Sequence, residues 1–223
     1  GLWTGSEGVL TPLAIAGNSA PVSDGDYFQF GQPSNAASGN AAFWTRLTSG
    51  ETILIKRPGG IFAAVTGGSQ APGFTGGETF SSLGDPSMNA TGTAAFTAQV
   101  DGVPAVYVGS TPSALHLVAR AGETAVGISG ALFENFGSPR INALGQVAFP
   151  AKFRRADGSL AFGIWAMDTN GHLLHVAHAG GTLSGKTVAG IALSDFSNGG
   201  EMVLSTSFTD GSDALIRASI QPV

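Results

Sequence analysis

Hydrophobic residues in this chain recur at every second position over short stretches. Between residues 146 and 193 the alternation marks segments of seven or eight residues, rich in β-branched or aromatic types and bounded by turn residues. They are residues 146–153, 160–167, 172–179 and 187–193. The dipeptides Asp101-Gly102, Asp157-Gly158, Asn170-Gly171 and Asp210-Gly211 favour hairpin turns between such segments. Because a period of two is typical of strands, the pattern predicts an all-β protein with no helix longer than one or two turns.

One short pattern occurs four times along the chain. Its copies are Pro33–Phe43, Pro86–Phe96, Pro139–Phe149 and the more divergent Ser194–Leu204. The glycines at one shared position, Gly39, Gly92, Gly145 and Gly200, are 53, 53 and 55 residues apart. In the two complete copies proline ends a strand, asparagine closes a local turn, and glycine adopts the left-handed conformation. The Ala-Phe that follows predicts a buried aromatic that faces the next repeat.

A period near 53 residues leaves room for four short antiparallel strands, which is typical of a β-propeller blade. We name the strands a (ending near the proline), b (with Ala-Phe), c (with Trp or Tyr) and d. The sequence predicts one repeat domain over residues 1–223, with about four blades, or part of a larger propeller. Gly1-Leu2-Trp3 matches Gly163-Ile164-Trp165, so the chain begins at a c strand, and by spacing it also ends at one. We therefore expect residues 2–17 and 202–220 to share one blade, within one chain or between copies.

Composition narrows the classes of function. Charged residues make up 11% of the chain, against about 25% in typical domains, while 43% is hydrophobic and 34 residues are glycine. Such a composition favours packed, turn-rich sheet over disorder. The formal net charge of −5 disfavours nucleic-acid binding, which needs a basic face. The absence of cysteine excludes disulfides and thiolate metal sites, and no apolar run is long enough to span a membrane.

The two complete copies of the pattern resemble a family of bacterial exported proteins with tandem Asn-x-x-Gly-x-x-Ala-Phe repeats. The matching residues are Asn89-x-x-Gly92-x-x-Ala95-Phe96 and Asn142-x-x-Gly145-x-x-Ala148-Phe149. The first copy has Ala36 at the asparagine position, and the fourth has Ser197 there and Leu204 for phenylalanine. The resemblance extends over essentially the whole chain. It implies a propeller-like fold and a secreted or cell-surface location, with any signal peptide already removed, and it implies no catalytic residues.

Polar residues near the ends of the a strands are the candidates for a binding site in the channel of a propeller. The sequence favours solvated strand ends for these residues, the alternative being that two or three of them meet at one channel mouth. The residues are Gln29, Gln32, Ser82, Asp85, Glu134, Asn135 and Asp195. Trp44 follows Phe43 directly and so faces the opposite side of its strand, which makes it the candidate for a ligand-facing aromatic.

The histidines and one glycine-rich stretch do not carry chemistry in this reading. His172, His175 and His178 lie on one strand, and their spacing places His175 on the face opposite the other two. They cannot converge on one ion, so the sequence predicts no metal site and no cofactor. Residues 180–187 match the letters of a phosphate loop, but a strand follows where that motif needs a helix.

The sequence as a whole predicts an exported, non-catalytic binding or scaffolding module that acts outside the cell or at its surface, with a protein or polysaccharide partner. It predicts no nucleic-acid partner and no membrane span. Two alternatives stay open. One is a propeller enzyme that acts on a polysaccharide or lactone in the central channel. The other is a structural subunit that self-associates through a spare edge strand.

Overall fold

The computed structural model describes residues 1–6, 8–22 and 25–220, which are built almost entirely of strands and turns. Strands account for 58% of the chain and helix for 1%, the latter a 3₁₀ turn at Pro112–Ala114. The prediction of an all-β protein is therefore confirmed. The Asp101-Gly102 hairpin also forms as expected, with φ of 45° and 82° in a two-residue turn.

An N-terminal hairpin precedes four antiparallel sheets. The hairpin consists of β1 (Leu2–Ser6) and β2 (Val9–Ala14). Sheet I consists of β3 (Tyr27–Phe30), β4 (Ser34–Asn35), β5 (Ala41–Leu47), β6 (Gly50–Arg57) and β7 (Gly60–Thr66). Sheet II consists of β8 (Phe80–Leu83), β9 (Ser87–Met88), β10 (Ala94–Val100), β11 (Val103–Gly109) and β12 (His116–Arg120). Sheet III consists of β13 (Leu132–Phe136), β14 (Arg140–Ile141), β15 (Val147–Arg154), β16 (Leu160–Met167) and β17 (Leu173–His178). Sheet IV consists of β18 (Thr182–Leu183), β19 (Lys186–Phe196), β20 (Glu201–Phe208) and β21 (Asp213–Ser219).

Sheets I to III have the same strand order, a-b-c-d, with a short extra strand beside b. Each of their c–d pairs contains a β-bulge at the same place, which leaves one residue of the d strand without a partner. The unpaired residues are Ala64, Val118 and Val176. The hairpin β1–β2 has the corresponding bulge at Leu13, so it has the form of a c–d pair, as the sequence predicts.

The hydrophobic core lies between consecutive sheets. The four clusters join the hairpin to sheet I, sheet I to II, II to III and III to IV. Phe43, Phe96, Phe149 and Leu204 each pack against the element that precedes their own sheet. The expectation that this side chain faces the next repeat is wrong, because the alanine before it occupies that side: Ala95 packs toward sheet III and Ala148 toward sheet IV.

The two ends of the chain pair locally. Among the described residues β1 pairs only with β2, and β21 pairs only with β20. Within the part of the chain that the structure describes, residues 2–17 and 202–220 therefore do not form a joint sheet. Self-association through the unpaired edge of β21 stays a prediction.

The asparagine of the repeated pattern closes its own turn and also contacts the next sheet. Asn142 Oδ1 accepts the N–H groups of Leu144 and Gln146, both at 3.0 Å. Its Nδ2 donates to Gln146 Oε1 at 2.8 Å and to the Ser197 carbonyl at 3.2 Å. Asn89 uses the same groups, and its Nδ2 donates to the Asn142 carbonyl at 3.1 Å. The side chain therefore links one turn to the next along the stack of sheets.

Replacing Phe149 with alanine is expected to lower the free energy of unfolding by about 3–5 kcal/mol, because the ring is fully buried between sheets II and III. Phe162→Ala is the matched control, since Phe162 lies in the same sheet but its side chain is 58% exposed. Urea denaturation measures both. A loss below about 1 kcal/mol in Phe149→Ala would contradict the assigned packing.

Replacing Asn142 with aspartate retains the acceptor oxygen and removes the two donors, and it turns a carboxylate toward the Ser197 carbonyl. We expect a loss of about 2–4 kcal/mol, because Asn142 is 1% exposed and its unpaired charge stays buried. The control is Asn135→Asp, since exposed Asn135 uses only its oxygen, for the N–H of Phe136. Equal urea midpoints for the two variants would show that the link between turns contributes nothing.

Candidate ligand-binding cavity

The a–b connectors of sheets I to III are built from one Gly-x-Pro sequence. They are Gly31-Gln32-Pro33, Gly84-Asp85-Pro86 and Gly137-Ser138-Pro139, again 53 residues apart. The glycine N–H donates to a b-strand carbonyl in each sheet: to Trp44 at 3.0 Å, Thr97 at 2.8 Å and Pro150 at 2.8 Å. Only glycine fits there, because a Cβ on Gly137 would lie 2.7 Å from Pro150 Cγ. The chain is therefore held close to strand b, and the next residues of all three connectors point into one space.

That space is a cavity of about 670 Å³, within the range of small-molecule sites. Its lining consists of Gln32, Pro33, Ser34, Asp85, Pro86, Ser87, Ser138, Pro139, Arg140, Pro150 and Leu193. We call it the connector cavity. Its proline rings and Leu193 form apolar walls, and its two charged residues are Asp85 and Arg140.

Serine hydroxyls join the connectors of neighbouring sheets. Ser34 Oγ accepts the N–H of Met88 at 3.0 Å, and Ser87 Oγ accepts the N–H of Ile141 at 3.3 Å. The third copy of this position is Arg140, which has no acceptor. There the corresponding N–H, that of Phe196, is accepted by Asp195 Oδ1 at 2.8 Å.

The carboxylate of Asp85 is fixed across the boundary between sheets I and II. Its Oδ1 accepts the backbone N–H of Gln32 at 3.0 Å. A Cβ on Gly31 would lie 1.9 Å from that oxygen and 3.2 Å from the Trp44 ring, so the close approach depends on glycine. Asp85 therefore enters the cavity in a defined orientation.

Of the residues that the sequence offered as candidates, Gln32 and Asp85 lie together in this cavity. Trp44 lies beside them, but its half-buried ring packs into the core between sheets I and II. Its Nε1 donates to Glu51 Oε2 at 3.4 Å, and the same oxygen accepts the N–H of Leu83 at 3.1 Å. Trp44 thus does not line the cavity, and it positions the wall behind Gly31.

Glu134 and Asn135 lie elsewhere. Glu134 pairs with Arg154 at 2.6 Å, and the hydrogen bond from that guanidinium lowers the pKa of Glu134. Asn135 lines a separate depression of about 150 Å³ between sheets II and III. Both lie outside the cavity because they belong to β13, before the connector, and the residue of sheet III equivalent to Gln32 and Asp85 is Ser138.

Four further polar residues of the cavity were not among the sequence candidates: Ser34, Ser87, Ser138 and Arg140. The signal that could have found them is the 53-residue interval, applied to the Gly-x-Pro sequence and to the residue after it.

A second group of ionisable side chains lies on β17. His178 Nδ1 and His175 Nε2 are 2.9 Å apart, although the alternation of the sequence placed these rings on opposite faces. That expectation is wrong because the bulge at Val176 shifts the alternation by one residue. Burial, and then the neighbouring His178, lower the pKa of His175 from 6.5 to about 4. Burial and then Arg155 also lower the pKa of His178.

These pKa shifts predict a loss of stability in acid. Between about pH 6.5 and pH 4 the unfolded chain binds a proton at His175 that the folded protein does not. The free energy of unfolding is therefore at its full value above about pH 6.5 and falls as the pH is lowered. Because the ring is half exposed, we expect a loss of about 1–2 kcal/mol. Urea midpoints at about pH 7.5 and about pH 5 measure it. His175→Gln should reduce the difference between them, whereas His116→Gln, at an exposed position, should not; equal differences in both variants would contradict the assignment.

No group of three or more His, Asp or Glu side chains positioned for a metal ion occurs within residues 1–6, 8–22 and 25–220. The same residues include no helix of the length and hydropathy needed to cross a bilayer. None of the curated proteins compared with the chain is similar to it in sequence. A family model matches residues 1–216, which is nearly the whole chain. The protein therefore belongs to DUF7453, a family of unknown function.

Proposed function

We propose that this protein is an exported, non-catalytic binding module of propeller type, and that its ligand binds in the connector cavity. In this proposal sheets I to IV are blades, with a strands nearest the axis, and the hairpin is the outer half of a further blade. The cavity then lies at one mouth of the central channel.

The common strand order of the sheets supports the propeller architecture. Sheets I to III share strand order, bulge positions and the direction in which phenylalanine packs. Their a–b connectors converge on one cavity, as they do when blades surround an axis. The cysteine-free and weakly charged composition supports export, where a free thiol would be exposed to oxidation.

One observation carries the binding function: three equivalent connectors, together with Leu193 of sheet IV, enclose a single space of ligand size. Apolar walls with a few convergent polar groups are characteristic of sites for small molecules. Asp85 is held in place before any ligand arrives, which reduces the entropy lost on binding.

The experiment is a binding screen by saturation-transfer NMR, followed by calorimetry on the compounds that bind. The probes are galactose, galacturonate, N-acetylglucosamine, cellobiose and a short acidic peptide. Ser138→Phe fills the cavity from an exposed position, so it should weaken binding about tenfold or more without unfolding the protein.

Ser113→Phe, on the exposed 3₁₀ turn, is the matched control and should leave binding unchanged. The proposal fails if the wild-type protein binds none of the probes. It also fails if Ser138→Phe binds them as tightly as the wild type does.

A further inference from the structure

Arg140 differs from the other arginines of the chain. Arg46, Arg120, Arg154 and Arg217 pair with carboxylates, and Arg57 and Arg155 donate to backbone carbonyls. The Arg140 guanidinium makes no hydrogen bond or ion pair with any residue that the structure describes, and it lines the connector cavity. Six of the seven arginines therefore bond to other residues of the protein, and the seventh, Arg140, lines the cavity.

The fold does not need this arginine. In the first two sheets the same position holds a serine whose hydroxyl accepts an N–H of the next sheet, that of Met88 or Ile141. At Arg140 the link is replaced, because Asp195 accepts the corresponding N–H of Phe196. Arginine in place of serine therefore removes a hydrogen bond between neighbouring sheets. Asp195 compensates, because it supplies another acceptor for the same N–H.

The chemistry of the cavity indicates what Arg140 would bind. A guanidinium offers parallel N–H donors that match the two oxygens of a carboxylate. Asp85, the other charged residue, accepts hydrogen bonds. Gln32 and Ser138 can form hydrogen bonds with hydroxyl groups of a ligand. The proline rings offer flat apolar surfaces between these polar groups.

We propose that the connector cavity recognises a sugar carboxylate, a uronic acid, with Arg140 on the carboxylate and Asp85 on the ring hydroxyls. This inference rests on the proposed binding function and names the ligand class of that site. A neutral sugar of the same shape lacks the partner for Arg140, and an acidic peptide lacks the hydroxyl groups for Asp85.

The test compares galacturonate with galactose by calorimetry, on the wild-type protein and three variants. The wild type should bind galacturonate more tightly than galactose or glutamate, with an affinity that falls as salt is added. Arg140→Ala should weaken galacturonate binding about 10- to 100-fold and leave galactose binding unchanged. Arg140→Lys, which keeps the charge but not the fork of donors, should give an intermediate affinity.

Arg217→Ala is the matched control, because it removes the same charge from an exposed strand of sheet IV. Melting curves establish that each variant is folded. The uronate assignment is overturned, while the binding function stands, if sugars bind and Ser138→Phe blocks them but Arg140→Ala has no effect. It is overturned in favour of another carboxylate ligand if glutamate binds more tightly than galacturonate. If no probe binds the wild type, both proposals fail.

Discussion

Packing of each sheet onto the one before it is the interaction on which this structure depends. A four-stranded sheet has two faces and cannot bury either one alone, so its core must come from its neighbours. The chain meets this need with two adjacent residues of strand b, which point to opposite sides. Phe149 fills the space toward sheet II, and Ala148 leaves room on the side of sheet IV. The same pair of sizes recurs at Ala95-Phe96, so sheets II and III each present a large side chain to the preceding sheet and a small one to the following sheet.

Polar contacts at the connectors then align the sheets laterally. Burying apolar faces is non-directional, whereas the Asn142 and Ser87 hydrogen bonds fix which turn meets which. Since the connectors of three sheets are placed in register, their next residues converge. The connector cavity is thus a consequence of the contacts that hold the sheets in line. Its chemistry is set by the residues that those contacts leave free.

The sequence predicted strands and turns well because both depend on local patterns. Alternation located the strands β15 and β16, and glycine after asparagine located the turns. The alternation predicted the wrong faces where a β-bulge adds one residue to a strand and so shifts the side chains beyond it to the opposite face. The bulge at Val176 brings His175 and His178 together, although the alternation places them on opposite faces. Bulges leave no reliable trace in a pattern of period two, so the faces beyond them were misassigned.

The sequence also could not show which neighbouring sheet the phenylalanine of strand b faces, since Ala-Phe is compatible with either one. The cavity required the relative position of three connectors, which follows from packing between sheets and not from any one repeat. The interval of 53 residues did contain the information. Applied to Gly31, Gly84 and Gly137, it identifies the cavity-lining segments and shows that Arg140 departs from serine.

The three boundaries between sheets are not equally buried, and this affects the cavity. Between sheets I and II, Ile53, Ile55 and Phe96 are fully buried. Between sheets III and IV the aromatic position is Leu204, and Ile191, Leu193 and Ile216 are only partly buried. Sheet IV is therefore packed less completely than the other three sheets, and among the sheets local opening is least costly there. Because Leu193 belongs to this sheet and lines the connector cavity, its side of the cavity is the one that can yield most easily to a ligand. The cavity thus has a fixed side, where Gln32 holds Asp85, and a more adaptable side at Leu193. Both follow from the decrease in buried apolar side chains from the boundary of sheets I and II to that of sheets III and IV.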